Sequence, residues 1–355
     1  MKSWLLVSLL LLGAMLQQYC VDGEAQVPGL FVFGGTLSDH GNNNNLRTRA
    51  KSNYMPYGID FSRGSTGRFC NGKTQVDMIA EFLRLNTSIP PFQNTRGSDI
   101  LKGVNYASGS AGIRDETGTH LGNNINFRRQ IANHRYTILR ILSQIGYNRT
   151  LQHLRQCLYY VHIGNNDYIY NYYLPQFYPT SRIFNTEQFA QGLINRYSRY
   201  IQDLLILGAR KFVFVSPGRI GCTPYALSMN RTNGSCVEEM NAATSIFNDK
   251  LRSLVDRLNN NTFDGSTFMF VNNSARNLGV VATGGFTVTN ASCCPTGTDL
   301  LCDPNQTPCQ NRNQHVFWDK FVFTENFNRF LALLAYNGSN RNFVYPVNIS
   351  TLVQS

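Results

Sequence analysis

Five short apolar runs punctuate this chain: Leu30–Phe33, Val104–Ala107, Tyr159–Ile163, Lys211–Val215 and Thr267–Val271. None alternates in and out as a strand with one wet face does. Each therefore reads as a strand covered on both sides, the habit of parallel sheets. The segments between them carry apolar residues at spacings of three and four. Gln75–Leu85 aligns Val76, Ile79, Ala80 and Leu83, and Ile131–Ile145 aligns Ile138, Leu139, Ile141 and Leu142. Glu187–Leu207 and Glu238–Leu258 follow, the latter with Ile246, Phe247, Leu251, Leu254, Val255 and Leu258. Thr324 suits the N-cap of a last helix that buries Phe327, Phe330, Leu331 and Leu334. Parallel neighbours need crossovers, which are right-handed, so the chain predicts an α/β class fold. The expected architecture is a three-layer α/β/α sandwich with a central, mostly parallel five-stranded sheet.

The first 25 residues have a different character. Lys2 precedes an apolar stretch from Trp4 to Leu16, and Gly23 and Ala25 fit a cleavage site before Gln26. This is the pattern of a secretory signal, too short in its apolar part to span a bilayer comfortably. The expected organisation is a signal over 1–25 and one domain over 26–355, with no internal repeat, linker or composition break. The expected destination is the secretory pathway: the extracellular space or apoplast first, the ER or a vacuole as alternatives. Eight cysteines follow the signal, and an oxidising compartment favours disulfides, with Cys222–Cys236 around a polar loop as the preferred pair. A zinc site at Cys293, Cys294, Cys302 and Cys309 is set aside because tight CxxC pairs are absent. No metal and no cofactor is expected. Ten N-glycosylation sequons occur, at Asn86, Asn148, Asn230, Asn233, Asn260, Asn272, Asn290, Asn305, Asn337 and Asn348.

Residues 1–25 hold one lysine and two acids, so without them the net charge moves from +11 to +12. That balance favours anionic surfaces, including acidic polysaccharide, lipid headgroups or a protein partner. The basic residues are dispersed and no nucleic-acid motif appears, so nucleic acid is not an expected partner.

Chemistry in such folds gathers in loops at the carboxyl ends of the strands. There the chain reads Phe33-Gly34-Gly35-Thr36-Leu37-Ser38-Asp39, Gly103-Val104-Asn105-Tyr106-Ala107-Ser108-Gly109-Ser110-Ala111-Gly112-Ile113 and Ile163-Gly164-Asn165-Asn166-Asp167-Tyr168. Near the C-terminus it reads Phe317-Trp318-Asp319-Lys320-Phe321-Val322-Phe323-Thr324. Pro56-Tyr57-Gly58-Ile59-Asp60-Phe61, Thr66-Gly67-Arg68-Phe69 and Ile220-Gly221-Cys222-Thr223-Pro224 complete the set. In this order and spread over most of the chain, the blocks resemble the plant GDSL esterase/lipase family within the SGNH hydrolases. The resemblance implies that fold and carboxylic-ester or lipid hydrolysis by a Ser-His-Asp arrangement. In the family, the first block reads Gly-Asp-Ser-Leu and the last Trp-Asp-x-x-His-Pro-Thr.

Carried over by position, the resemblance gives Gly112 a backbone N–H and Asn166 a side-chain amide toward the oxyanion, and gives Asp319 the role of acid. The other positions depart from the pattern. Thr36 stands where the nucleophilic Ser is expected, and its extra methyl stiffens χ1. Gly35 replaces the preceding Asp, Val322 stands in the vacated His position, and Phe323 replaces Pro. An isopropyl group has no lone pair, and losing a triad Ser or His costs on the order of 10⁶ in kcat. The primary expectation is an inactive or severely impaired GDSL-like protein holding an acyl ester or lipid ligand. The alternatives are a weak ester hydrolase using Thr36 with a relocated base, His40 or His315 foremost, and a lipid- or protein-binding pseudoenzyme. A basic glycosylated wall or lumen protein with an empty cleft is a further reading.

Overall fold

The computed structural model describes residues 23–354 except 86–87, 231–233, 262–264, 276–277 and 298–299. The expected signal thus lies outside the described residues apart from its last three, as do Asn86 and Asn233. All five expected strands form: β1 (Leu30–Gly34), β2 (Gly103–Asn105), β3 (Leu158–His162), β4 (Lys211–Val215) and β5 (Thr267–Val271). They pair in parallel in the order β2-β1-β3-β4-β5. A small separate sheet pairs β6 (Val288–Ser292) with β7 (His315–Phe317), also in parallel. The main sheet has six strands rather than the five expected, because β8 (Val344–Tyr345) adds antiparallel to β5. Two residues are too few to carry a period that a sequence could show.

Alternation along the strands sorts side chains into two cores. Phe31, Phe33, Tyr159, Val161, Phe212 and Phe214 point to one face. There they meet α2 (Phe127–Ile145), α4 (Thr186–Ile206) and α5 (Glu238–Asn260) through Phe127, Leu193 and Phe247. Leu30, Val32, Leu158, Tyr160, Val213 and Val215 point to the other. Ile79 of α1 (Gln75–Phe82), Leu331 of α6 (Glu325–Asn337) and Leu352 of α7 (Ile349–Gln354) cover them. Every residue of β1 and β3 is buried, which is why these strands read as unbroken apolar runs. The architecture is the α/β/α sandwich that the alternation implies.

The boundaries that moved have local causes. β2 ends at Asn105 because its side chain turns the backbone: Oδ1 accepts the Ala107 N–H at 2.9 Å, and Nδ2 donates to the Ser38 carbonyl at 2.7 Å. Helix α1 stops at Phe82 instead of Leu85, and Arg84 there is left-handed at φ 58°. Helix α2 starts four residues before Ile131 because Asn126 caps it, accepting from the Arg129 N–H at 3.0 Å. Helix α3 (Tyr147–Gln156) was not foreseen, since only Thr150 and Leu154 of its ten residues are buried. The cap at Thr324 forms as expected, Oγ1 accepting from the Phe327 N–H at 3.3 Å. Disulfides join Cys222–Cys236, Cys293–Cys309 and Cys294–Cys302, while Cys70 and Cys157 are buried thiols. Among the described residues no helix is long and apolar enough to cross a membrane.

Candidate active site

Three loops meet above the carboxyl ends of β1, β2 and β3. The first leaves β1 at Gly34 and tightens into a short 3-10 turn over Thr36–Ser38. Asp39, fully buried, ties this turn to the loop after β2: it accepts from the N–H groups of Gly41, Asn42 and Gly109, each at 2.8 Å. Burial pushes its carboxyl up to about 6 against the pull of those backbone donors. So anchored, the second loop aims the Ser110 N–H at Thr36 Oγ1, 3.0 Å away. Ser110 sits in the left-handed region at φ 62°, which costs a non-glycine residue roughly 1 kcal/mol. The third loop brings Asn166, whose Nδ2 donates to the Ala111 carbonyl at 2.8 Å and to Thr36 Oγ1 at 3.2 Å. A carbonyl can only accept, so the contact with Ala111 fixes which end of the Asn166 amide carries the nitrogen.

The structure therefore brings Thr36 and Asn166 together. Gly112 stands two residues past the amide that faces Thr36. Its carbonyl accepts from the Phe127 N–H at 3.2 Å, and a Cβ there would lie 2.5 Å from Thr117 Cγ2 and 2.6 Å from Asp167 Oδ1. Close packing accounts for that glycine. Sequence reasoning passed over Ser110, because its contact with Thr36 is made by the backbone and no side-chain motif marks a peptide direction. Gly35 also has a packing reason. At φ −102° any residue fits, but an added Cβ would lie 2.8 Å from Asn166 Nδ2 and 3.1 Å from the Ala111 carbonyl. An aspartate here would have to displace Asn166.

The fourth loop follows β7. Asp319 is fully buried; its Oδ1 accepts from the N–H groups of Phe321 at 2.8 Å and Val322 at 2.9 Å, and its Oδ2 from the Tyr57 hydroxyl at 2.5 Å. A carboxylate offers about four acceptor positions, so roughly one remains on Oδ2. Burial is the main influence and raises Asp319 from 3.8 to about 6, opposed by Tyr57 and the two backbone donors. A carboxyl with a raised folded value stabilises fully below its unfolded value and loses that contribution as pH climbs through the folded one. The Asp319→Asn variant lacks this loss. Its stability relative to the parent should improve by about 2 kcal/mol between pH 4.5 and pH 7.5, read from urea unfolding at both values.

Val322 occupies the next strategic position. It is 1% exposed, its carbonyl accepts from the Trp318 N–H at 2.8 Å, and it lines the same cavity as Thr36. Phe323 packs on Phe317 and Phe327, with ring centroids 5.6 and 5.0 Å away. The six histidines are placed elsewhere. Buried His40 contacts the Ile89 carbonyl at 2.9 Å and Thr74 Oγ1 at 2.7 Å, and burial drives its pKa down to about 4. His134 is buried beside the Tyr106 hydroxyl at 3.0 Å, with its pKa pushed by burial to about 3. His162 stands on the Tyr160 face of β3; its Nε2 lies 3.4 Å from Asn165 Nδ2, and its carbonyl accepts from the Gly35 N–H at 3.1 Å. His120 leans on Tyr178, His153 on Cys157, and His315 on the Asn311 carbonyl at 3.1 Å. Among the described residues no histidine lines the cavity that holds Thr36 and Val322.

That cavity measures about 760 Å³. It is lined by Thr36, Asn166 and Val322, by apolar Ile169, Ile220, Leu227, Phe317, Phe321 and Phe327, and by polar Tyr170, Thr223 and Asn273. The mouth is polar, with Asn165, Ser235, Thr289, Asn290 and an ion pair, Arg219 Nη2 to Glu238 Oε1 at 2.8 Å. A largely apolar lining with a few polar side chains suits an apolar molecule carrying a small polar group.

Comparison with known proteins agrees with the geometry. Residues 30–335 match the family described as GDSL-like Lipase/Acylhydrolase. A GDSL esterase/lipase of Arabidopsis thaliana is 47% identical over 340 residues, covering 94% of this chain and 93% of the relative. A second Arabidopsis thaliana GDSL esterase/lipase is 44% identical over 364 residues, covering 100% of this chain and 99% of its own length. A third from the same plant is 43% identical, with 94% of both chains covered. With a sandwich whose strand ends bring Thr36 and Asn166 together, and relatives matched along nearly their whole length, this chain belongs to the GDSL-like lipase/acylhydrolase family.

Proposed function

We propose that this chain is a family member that binds an acyl ester or lipid in its cavity with little or no turnover. The observation that carries the reading is the surroundings of the Thr36 hydroxyl. Ester hydrolysis needs a base within hydrogen-bond reach of the nucleophile's proton. Here the acceptor that Thr36 Oγ1 faces is the amide oxygen of Asn166, 3.5 Å away, and an amide oxygen does not take a proton at neutral pH. Val322 supplies nothing, and Asp319 is engaged by Tyr57 and two backbone N–H groups. The remaining parts of the reading fit around this: a signal over 1–25, one domain over 26–355, secretion to the cell exterior, and glycosylation at exposed sequons such as Asn148, Asn260 and Asn305. Asn166 with a backbone N–H of the Gly109–Gly112 loop, and Asp319, take the oxyanion and acid positions; no metal or cofactor takes part.

The weak-hydrolase alternative is separated by kinetics. Release of p-nitrophenol from p-nitrophenyl butyrate should be at a trace level, on the order of 10³–10⁴ over water at most. Thr36→Ala should leave that trace unchanged. A Thr36→Ala variant that loses the rate would instead establish Thr36 as a working nucleophile with a base recruited on binding.

A further inference from the structure

Among the described residues, two charged side chains line the cavity, Arg219 and Glu238. Arg219 Nη2 donates to Glu238 Oε1 at 2.8 Å, and the acid is 69% exposed. Glu238 offers its other oxygen to Asn241 Nδ2 at 3.2 Å. An ion pair so open to water holds its partners weakly. The Arg219 guanidinium carries five N–H groups, and Glu238 takes one of them. Its Nε is buried and has no acceptor among the described residues. A buried donor left unpaired is costly, and an acceptor carried in by a ligand lowers that cost.

The place of Arg219 in the fold decides how such a ligand would lie. Thr36 follows β1, Asn165 follows β3 and Arg219 follows β4. With β3 between them, the ends of β1 and β4 stand two strand spacings apart, roughly 10 Å. Asn165 Oδ1 accepts from the Gly218 N–H at 3.2 Å, which ties the Arg219 loop to the loop after β3. Ile220, Leu227, Val281 and Phe321 line the same cavity. A fork of N–H groups matches a planar carboxylate, and the apolar lining matches a hydrocarbon chain attached to it.

We infer that Arg219 receives the carboxylate of a long-chain acid whose chain lies along the apolar lining. The inference rests on the ligand-binding reading above and names the class of lipid. The head group then sits toward β4, away from the Thr36 hydroxyl, and its binding needs neither Thr36 nor the donors that face it.

The test is displacement of Nile red from the purified protein by decanoate and methyl decanoate at pH 8. The parent should bind decanoate about five- to tenfold tighter than the ester, through charge-assisted hydrogen bonds that the ester cannot match. Arg219→Gln should erase this preference, weakening decanoate about tenfold while the ester moves less than about twofold. Glu238→Gln removes a competing acid and should tighten decanoate about threefold. Thr36→Ala should leave the preference in place. Equal binding of acid and ester by the parent, a preference that survives Arg219→Gln, weaker decanoate binding in Glu238→Gln, or a preference lost in Thr36→Ala would overturn the inference with ligand binding intact. Displacement by neither compound would sink the inference together with the reading beneath it.

Discussion

Restoring Ser at 36 and His at 322 together is expected to raise p-nitrophenyl ester hydrolysis by roughly 10²–10⁴-fold over the parent. Either change alone should give about tenfold or less, because triad members act as a unit and their effects are far from additive. The physical basis is the receiving geometry. Asp319 keeps about one free acceptor position on Oδ2, enough to orient an imidazole from position 322. Val322 already faces the cavity that Thr36 lines, so the new ring would enter the same space. A Ser at 36 would turn freely out of the Ser110 and Asn166 donors toward it, which Thr36 does not. Full recovery is not expected. Gly35 is packed against Asn166, and Phe323 is stacked among Phe317 and Phe327, so the base loop keeps its altered course.

The second large effect concerns stability. Arg68 is 3% exposed and Asp77 4% exposed, and they bond through Nε–Oδ2 and Nη2–Oδ1, both at 2.8 Å. Arg68 also bonds Ser88, Thr66 and the ring of His40. Burial opposes ionisation of Asp77. The charges of His40, when protonated, and of Arg68, with the Arg68 and Thr74 hydrogen bonds, outweigh it and hold the carboxyl well below the ordinary range. At pH 7 the charge is that of Arg68, because burial keeps His40 neutral. Arg68→Ala should therefore cost about 3–5 kcal/mol in urea unfolding at pH 7, leaving a buried carboxylate unpaired. Arg68→Ala with Asp77→Asn should cost less than the sum of the two singles, since the second change removes the stranded charge. Additive costs would mean that the pair is not coupled. The same network explains why His40, four residues after Thr36, belongs to the support of α1 rather than to the site.

Much of the fold was legible because each long element is buried on a defined face. Strands β1 and β3 have no exposed residue, so their sequence is apolar throughout; α5 has a stripe. The signal fails where burial is slight, as in polar α3, and where an element is too short for a period, as in the two-residue β8. The candidate site was legible where it rests on side chains at fixed spacing after strands: Thr36, Asn166 and Val322 line one cavity. It was not legible where the geometry rests on backbone direction: the Ser110 N–H is aimed at Thr36 by a left-handed turn and by the Asp39–Gly109 bond, which no side-chain motif marks. Tyr57 was also missed as the partner of Asp319, because their 2.5 Å contact spans 262 residues of chain.

On the proposed function, the cavity beside Thr36 holds an ester without the means to move a proton. The most direct measurement is native mass spectrometry of the protein incubated overnight with p-nitrophenyl decanoate. The account predicts a complex with the intact ester, recovery of that ester on denaturation, and no acyl adduct on the chain. Decanoyl-Thr36 or free decanoate in stoichiometric amount would contradict it.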